Sequence, residues 1–334
     1  MYHKFSGIKH IFLVLYVDDI LLATNNIGIL QDTKSFISKH FEMKDLGDAF
    51  FLSGIKIHRD RSRGILGLSQ RNYIDKVLKK FGMQNSKPGD TPVAKGDKFN
   101  LSQCPKTNIE IKEMQKIHYS SVTRSLMYAQ VCTRPDIAFI VGMLGRYLSN
   151  PDIDHWKAAK RVMRYLQRTK EYMLTYRRSD QLEIIGYSNS DFAGSKDSRK
   201  SISGYIYLLA GGAISWRSAK QTLVASSTMV ADFVACYEVS NQEIWLRNFV
   251  TGLCILEGVE RSLKIFCDNK SAVLYSNNNK SFTKSKHIEI KFLVVKERVQ
   301  SRQISIEHIG TNSTIADPLT KGLPPKVFHD CDFS

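Results

Sequence analysis

Paired cysteines are missing from this chain of 334 residues. Its six cysteines, Cys104, Cys132, Cys236, Cys254, Cys267 and Cys331, are scattered, several in apolar context, and none forms a C-x-x-C pair. Neither a disulfide framework nor a zinc cluster is expected. The pattern reads as an intracellular, reduced protein, cytoplasmic or nuclear and not secreted. Long apolar stretches are missing too, which excludes a helical membrane span. The nearest candidate, Ile11 to Val17 behind Lys4 and Lys9, is too short and is interrupted by Asp18 and Asp19, so a secretory signal is rejected. Acidic residues are the third shortage: 32 against 48 Lys and Arg, a formal net charge of +16. The basic residues run through the chain instead of forming a tail. That points to a polyanion such as nucleic acid, with a merely soluble basic protein as the plainer alternative. At this length two modest cores are expected.

What is present begins with Tyr16-Val17-Asp18-Asp19, set between the apolar runs Ile11 to Leu15 and Ile20 to Ala23. Two adjacent carboxylates in an otherwise buried hairpin are costly unless a divalent cation neutralises them. The pattern predicts strand, tight turn with paired carboxylates, strand. That is the signature of a polymerase palm, where carboxylates hold two metal ions for nucleotidyl transfer. Asp18 and Asp19 are the metal candidates. A surface turn would read the same way, because Asp-Asp is an ordinary turn pair. A palm also needs a metal-binding aspartate from an earlier strand, and the few residues upstream leave no room for one. An incomplete palm is therefore expected.

Further along, Leu30 to Phe41 has helical spacing, and Phe51 to Arg59 with Ile65 to Gln70 alternates as a second hairpin. Arg71 to Phe81 returns to helix, with Tyr73, Ile74, Val77, Leu78 and Phe81 on one face. Ser86 to Asn108 is rich in Pro, Gly, Lys and Asp and reads as a loop. Helices follow near Tyr119 to Cys132 and Pro135 to Leu148, with Pro135 at a favourable first helical position. His155 to Arg168 sets an apolar stripe of Trp156, Ala159, Val162, Met163 and Leu166 against Lys157, Lys160, Arg161, Arg164 and Arg168. Such a basic amphipathic helix can track a phosphate backbone, and a solvated charged face is the competing reading. From Leu182 the texture changes: strands at Glu183 to Ser188, Ile202 to Ala210 and Ala213 to Arg217, then a helix from about Ser227 to Leu253. A strand at Leu263 to Asp268, helices, a strand at Ile304 to Ile309 and a last helix from Ala316 complete the ribonuclease H order, an α/β layer fold.

The series Leu15 to Ile20, Lys44-Asp45-Leu46-Gly47, Ser125-Leu126-Met127-Tyr128, Thr133 to Ala138, Ser201 to Tyr205, Ser215-Trp216, Lys286-His287-Ile288 and Ala316 to Lys321 covers nearly the whole chain. In that order it resembles the C-terminal part of a copia-type retrotransposon polyprotein, the end of a reverse transcriptase followed by its ribonuclease H domain. The resemblance implies an α/β fold: an α+β palm remnant over 1–85, a helical thumb or connection over 86–175, and a ribonuclease H-like mixed sheet flanked by helices over 182–325. It also implies two magnesium ions held by four carboxylates, with an RNA/DNA hybrid as substrate and the missing reverse transcriptase portion as a partner in trans. One ion positions the attacking water and the other stabilises the leaving oxygen.

Carried over position by position, the third carboxylate is Asp268 and the fourth Asp317. The first falls at Asn189, where similar proteins read Tyr-Ser-Asp-x-Asp and this chain reads Tyr187-Ser188-Asn189-Ser190-Asp191. Relatives read Glu-Ala-Glu before an aromatic residue where this chain has Val230-Ala231-Asp232-Phe233, which puts the second ligand at Asp232. Aspartate there shortens the reach by roughly 1.5 Å, and Val230 removes a neighbouring carboxylate. Asparagine offers a neutral oxygen where two cations need a shared anion, and magnesium tolerates misplacement poorly. The expected result is a loss of several orders of magnitude in rate, with Asp191 as a substitute ligand if its strand continues. Arg124 replaces a glycine of relatives, and the ending His329 to Ser334 departs from them. The chain thus reads as a truncated, degenerate reverse transcriptase and ribonuclease H, or as a non-catalytic nucleic-acid-binding remnant, or as a product without a selected role.

Overall fold

The computed structural model describes residues 1–94, 96–97, 99–179, 182–253, 263–278 and 286–331. Cys254 and the final residues 332–334 lie outside them. The chain forms two compact units, residues 1–52 and 53–334.

In the first unit, β1 (Tyr2–Ser6), β2 (Lys9–Tyr16) and β3 (Asp19–Thr24) form an antiparallel sheet in chain order, followed by α1 (Ile27–His40) and a short β4 (Phe51–Leu52). The expected hairpin is there. Tyr16 pairs with Asp19, so Val17 and Asp18 make the turn, and Val17 has a φ of 52°, an unusual conformation for a β-branched residue. Asn26 caps α1 by accepting from the Ile29 N–H at 3.1 Å. One expectation fails. Among the described side chains of this unit only Ile11 is buried, and Asp18 and Asp19 are exposed. The apolar runs line a sheet open to water, so the two carboxylates keep their hydration.

The second unit opens with the expected hairpin of β5 (Ile55–Asp60) and β6 (Ile65–Ser69). The helices α2 (Arg71–Lys80), α3 (Asn108–Gln115), α4 (Tyr119–Cys132), α5 (Ala138–Leu144) and α6 (Ile153–Arg168) follow. Helix α3 begins at the end of the expected loop. Its capping box was present in the sequence as Thr107-x-x-Glu110: Thr107 Oγ1 accepts from Glu110 N at 3.3 Å, and the Glu110 carboxylate accepts from Thr107 N at 3.1 Å. Leu126, Ile140, Leu144, Val162 and Leu166 make the helical core, and Arg124 is exposed, which resolves its intrusion by reaching solvent. At Arg134 the guanidinium is buried but complete: it bonds Asp136 at 2.6 Å, Thr169 Oγ1 at 2.6 Å and Thr169 O at 3.1 Å.

Strand β7 (Met173–Arg177) returns to the edge of β6. A five-stranded sheet then runs in the order β10 (Gly212–Lys220), β9 (Ile202–Leu209), β8 (Ile185–Asp191), β11 (Leu263–Cys267), β12 (Ile304–His308). Strands β8 to β10 are antiparallel, and β11 is parallel to both β8 and β12. Ala210 and Gly211, with φ of 53° and 82°, supply the tight turn between β9 and β10. Helices α7 (Thr228–Gly252), α8 (Lys270–Asn277) and α9 (Lys286–Gln300) pack on the sheet through Phe233, Val234, Val273, Phe292 and Val295, and α10 (Pro325–His329) ends the fold. Ala138, Leu174, Ile206, Ala213, Ala316 and Leu319 form one further cluster, which joins the helical region to the sheet.

Candidate functional site

Parallel pairing fixes the geometry of the site. Cys267 lies level with Ser188 on one side and His308 on the other. Asn189 and Asp268, each one residue further on, therefore emerge together at the same end of adjacent strands. Asp317 opens a short 3-10 turn, Asp317–Leu319, and Asp232 lies in the first turns of α7, whose N-terminus is capped by Ser227. Gly204, the cross-strand partner of Asn189, makes room for that short turn. A Cβ there would stand 2.7 Å from both Leu319 Cβ and Thr320 Cγ2.

The side chains form a connected polar network. Asn189 is buried and its amide donates to the Asp317 carboxylate and, at 3.4 Å, to Thr320 Oγ1. Asn189 Oδ1 accepts from the Ser190 N–H at 2.7 Å. This fixes which amide atom faces Asp317, because a flipped amide would set oxygen against oxygen. The other Asp317 oxygen pairs with Lys321 Nζ at 3.1 Å. Asp232 is buried, and both its oxygens accept, from Ser190 Oγ at 2.6 Å and Asn269 Nδ2 at 2.7 Å. Burial pushes the Asp232 carboxyl above its ordinary range; the bonds from Ser190 and Asn269 oppose this and the Asp268 charge adds to it. Asp268 is raised by burial and then by Asp317, with Lys321 and His308 pulling it down.

Three carboxylates thus share one field, and the fourth corner is an amide donor. The residues present do not fit a pair of magnesium ions. Asn189 directs N–H, not an anionic oxygen, at Asp317, and an ammonium holds that carboxylate from its other side. Among the described residues no group of three or more His, Cys, Asp or Glu is arranged to hold a metal ion.

Residues 1–95 match the family described as reverse transcriptase (RNA-dependent DNA polymerase). Over 330 residues the chain is 41% identical to the retrovirus-related Pol polyprotein from transposon TNT 1-94 of Nicotiana tabacum, covering 99% of this chain and 24% of that protein. It is 31% identical over 220 residues to a putative transposon Ty5-1 protein of Saccharomyces cerevisiae, covering 66% of this chain and 69% of that protein. The chain belongs to the copia-type retrotransposon Pol family. It spans less than a quarter of the length of the tobacco Pol polyprotein, 24%. Among solved structures, the foamy viral protease-reverse transcriptase in complex with RNA/DNA hybrid aligns with 90% of this chain and 36% of that chain, at a TM-score of 0.51 and 15% identity. That likeness confirms the mixed helix-and-sheet fold.

The other positions suggested by the copia-type pattern distribute as follows. Strand β8 continues to Asp191, which shares the Asn189 face at a spacing of two and is half-exposed. Val230 turns away from the carboxylates: it is buried in the hydrophobic cluster with Phe233 and Val234. Tyr16, Val17, Asp18 and Asp19 stay together on the β2–β3 turn, exposed. On α6 the expected apolar stripe of Ala159, Val162, Met163 and Leu166 is buried and Trp156 is half-buried. On the basic face Arg164 is exposed and in no salt bridge among the described residues, but most of the other cations have partners. Lys157 pairs with Asp154 at 2.9 Å, Arg161 with Asp97 and Arg168 with Asp90, while Lys160 sits 5.5 Å above the Trp156 ring. Sequence reasoning missed Ser190, Asn269 and Lys321 as site residues. Asn269 had a local signal: it follows Asp268 directly and caps α8 by accepting from Ser271 N and Ala272 N.

Proposed function

We propose that this chain is a nucleic-acid-binding member of the copia-type Pol family whose ribonuclease H-like site holds an RNA/DNA hybrid without cutting it efficiently. We divide it by role into a reverse transcriptase palm segment over 1–85, a helical connection over 86–175 and a ribonuclease H-like domain over 182–325. One observation carries the reading: the Asn189 amide donates to Asp317 at the position where the family pattern puts a metal-bridging carboxylate. Family hydrolysis requires two cations between four anions. Here Asp232, Asp268 and Asp317 supply three, and internal donors from Asn189, Ser190, Asn269 and Lys321 already serve two of them. Binding to phosphates and to hybrid shape needs none of those ligands, and the net charge of +16 favours it.

We assign no nucleotidyl transfer to Asp18 and Asp19. That chemistry needs a further metal-binding carboxylate, which no described residue brings to this turn; a reverse transcriptase portion, for example in trans, is the source we propose. Asp191 is the residue through which a residual magnesium-dependent activity would run. The test is to follow an end-labelled RNA/DNA hybrid with the native chain in magnesium, scoring binding and cleavage in the same samples. Binding with intact RNA supports the proposal. Turnover by the native chain overturns it, as does absence of binding.

A further inference from the structure

The turn joining β8 to β9 leaves the sheet at the end that bears the site. Asp191 and Lys220 both pair with Ile202, from opposite sides, so residues 192–201 and Lys220 share one edge, two residues beyond Asn189. That edge is basic. Lys196, Arg199 and Lys220 are exposed and Lys200 is half-exposed. Among the described residues none of these four takes part in a salt bridge.

The turn's own acidic residue does not neutralise them. Asp197 faces the helical region, accepting from Leu101 N at 2.9 Å and from the Tyr147 hydroxyl at 3.2 Å. The backbone is held in place by Arg199 N to Ser195 O at 2.8 Å and Ser195 N to Lys200 O at 3.0 Å. Ser201 Oγ accepts from Ala193 N at 3.2 Å. Arg199 occupies a left-handed conformation, φ 53°, within this bracing. The contrast with α6 decides between two basic surfaces. Three of the five α6 cations must first give up carboxylate partners to meet a phosphate, and Lys160 lies over the Trp156 ring. That leaves Arg164 exposed and in no salt bridge among the described residues. The turn, with Lys220, presents four cations outside any such pair on a fixed frame and releases counterions in full.

We propose that Lys196, Arg199 and Lys200, with Lys220, form the chain's principal phosphate-backbone contact, gripping a strand that runs past Asn189 and Asp268. The inference rests on the nucleic-acid-binding reading and adds where the strand lies. The test is fluorescence anisotropy of a labelled RNA/DNA hybrid in EDTA across a KCl series, using the full chain. The variants are the triple Lys196→Ala, Arg199→Ala, Lys200→Ala and the single Lys220→Glu, with Lys157→Ala, Arg161→Ala, Arg168→Ala as the comparison and thermal melts confirming folding. The turn triple is expected to weaken binding about tenfold or more and to lower the slope of log affinity against log salt by roughly 2 to 3. Lys220→Glu should weaken binding severalfold, and the α6 triple should stay within about twofold. Unchanged affinity and slope in the turn triple, with an intact native complex, overturn this assignment alone. Failure of the native chain to bind overturns it together with the proposed function.

Discussion

At Asn189 one atom separates an amide from a carboxylate, yet the exchange reverses the electrostatics of the site. The amide donates to Asp317 and stands in for a counter-charge, whereas a carboxylate would repel it until a cation arrived. Asn189→Asp should therefore destabilise the metal-free protein by roughly 1–3 kcal/mol, and magnesium should raise the melting temperature of the variant while leaving the native chain unmoved. Melts with EDTA and with MgCl2 test this; equal magnesium responses would contradict it. Glu243 presents the opposite situation, a carboxyl far from the site with both oxygens buried and no hydrogen-bond partner among the described residues. Burial pushes it well above the carboxylate range, against the pull of the nearby Tyr207 hydroxyl, whose hydrogen bond goes to Val239 O at 2.9 Å, and of the Arg298 and Arg247 charges. The folded state keeps its proton where the unfolded chain loses it, so stability should fall as pH rises above the ordinary glutamate value near 4.5 and continue falling toward the raised one. Glu243→Met should flatten that slope and stabilise the protein near neutral pH by roughly 1–4 kcal/mol. Denaturant titrations across pH check both, and a slope unchanged in the variant would count against the assignment. At this scale the carboxylate positions were legible through the resemblance. Ser190 as the partner of Asp232 was not, because a hydrogen bond across 42 residues leaves no local pattern, whereas Lys321, four residues after Asp317, is a neighbour on the same short turn.

Elements set how near those residues come. The short turn bearing Asp317 lies against β9 only because Gly204 has no side chain. Gly204→Ala should drive Leu319 and Thr320 outward, cost about 1–3 kcal/mol and loosen the Asn189–Asp317 contact. A lowered melting temperature without change in the circular dichroism of the native state would fit, and full retention of stability would not. The alternation in β5 and β6 and the amphipathic stripes of α2 and α6 identified those elements from the sequence, while β8 and β9 were legible as strand-like runs, β9 being buried on both faces over most of its length. Strand β1 was not legible. Tyr2 to Ser6 carries no apolar run and becomes a strand through its register with β2, a tertiary effect. The first hairpin was located correctly but assigned a buried environment it does not have, because alternation and apolar runs report strand character, not what covers the strand.

Across the whole molecule, the +16 charge points to a polyanion more directly than any single basic helix does. Composition indicated a polyanion, but the periodicity that drew attention to α6 could not reveal that Asp90 and Asp97, distant in sequence, would claim two of its arginines. Lys196, Arg199, Lys200 and Lys220, none of them in a salt bridge among the described residues, lie instead at the β8–β9 turn, beside a carboxylate cluster completed by an amide. Family fold, basic edge and polar network together support the proposal that this chain holds nucleic acid at a site where an amide occupies the cation-binding corner. The most direct test compares the native chain with Asn189→Asp in magnesium, measuring cleavage of an end-labelled RNA/DNA hybrid at matched binding. The account predicts that both bind and that only the Asn189→Asp protein cuts, at a rate several orders of magnitude above the native chain. Equal cleavage by the two proteins would contradict it.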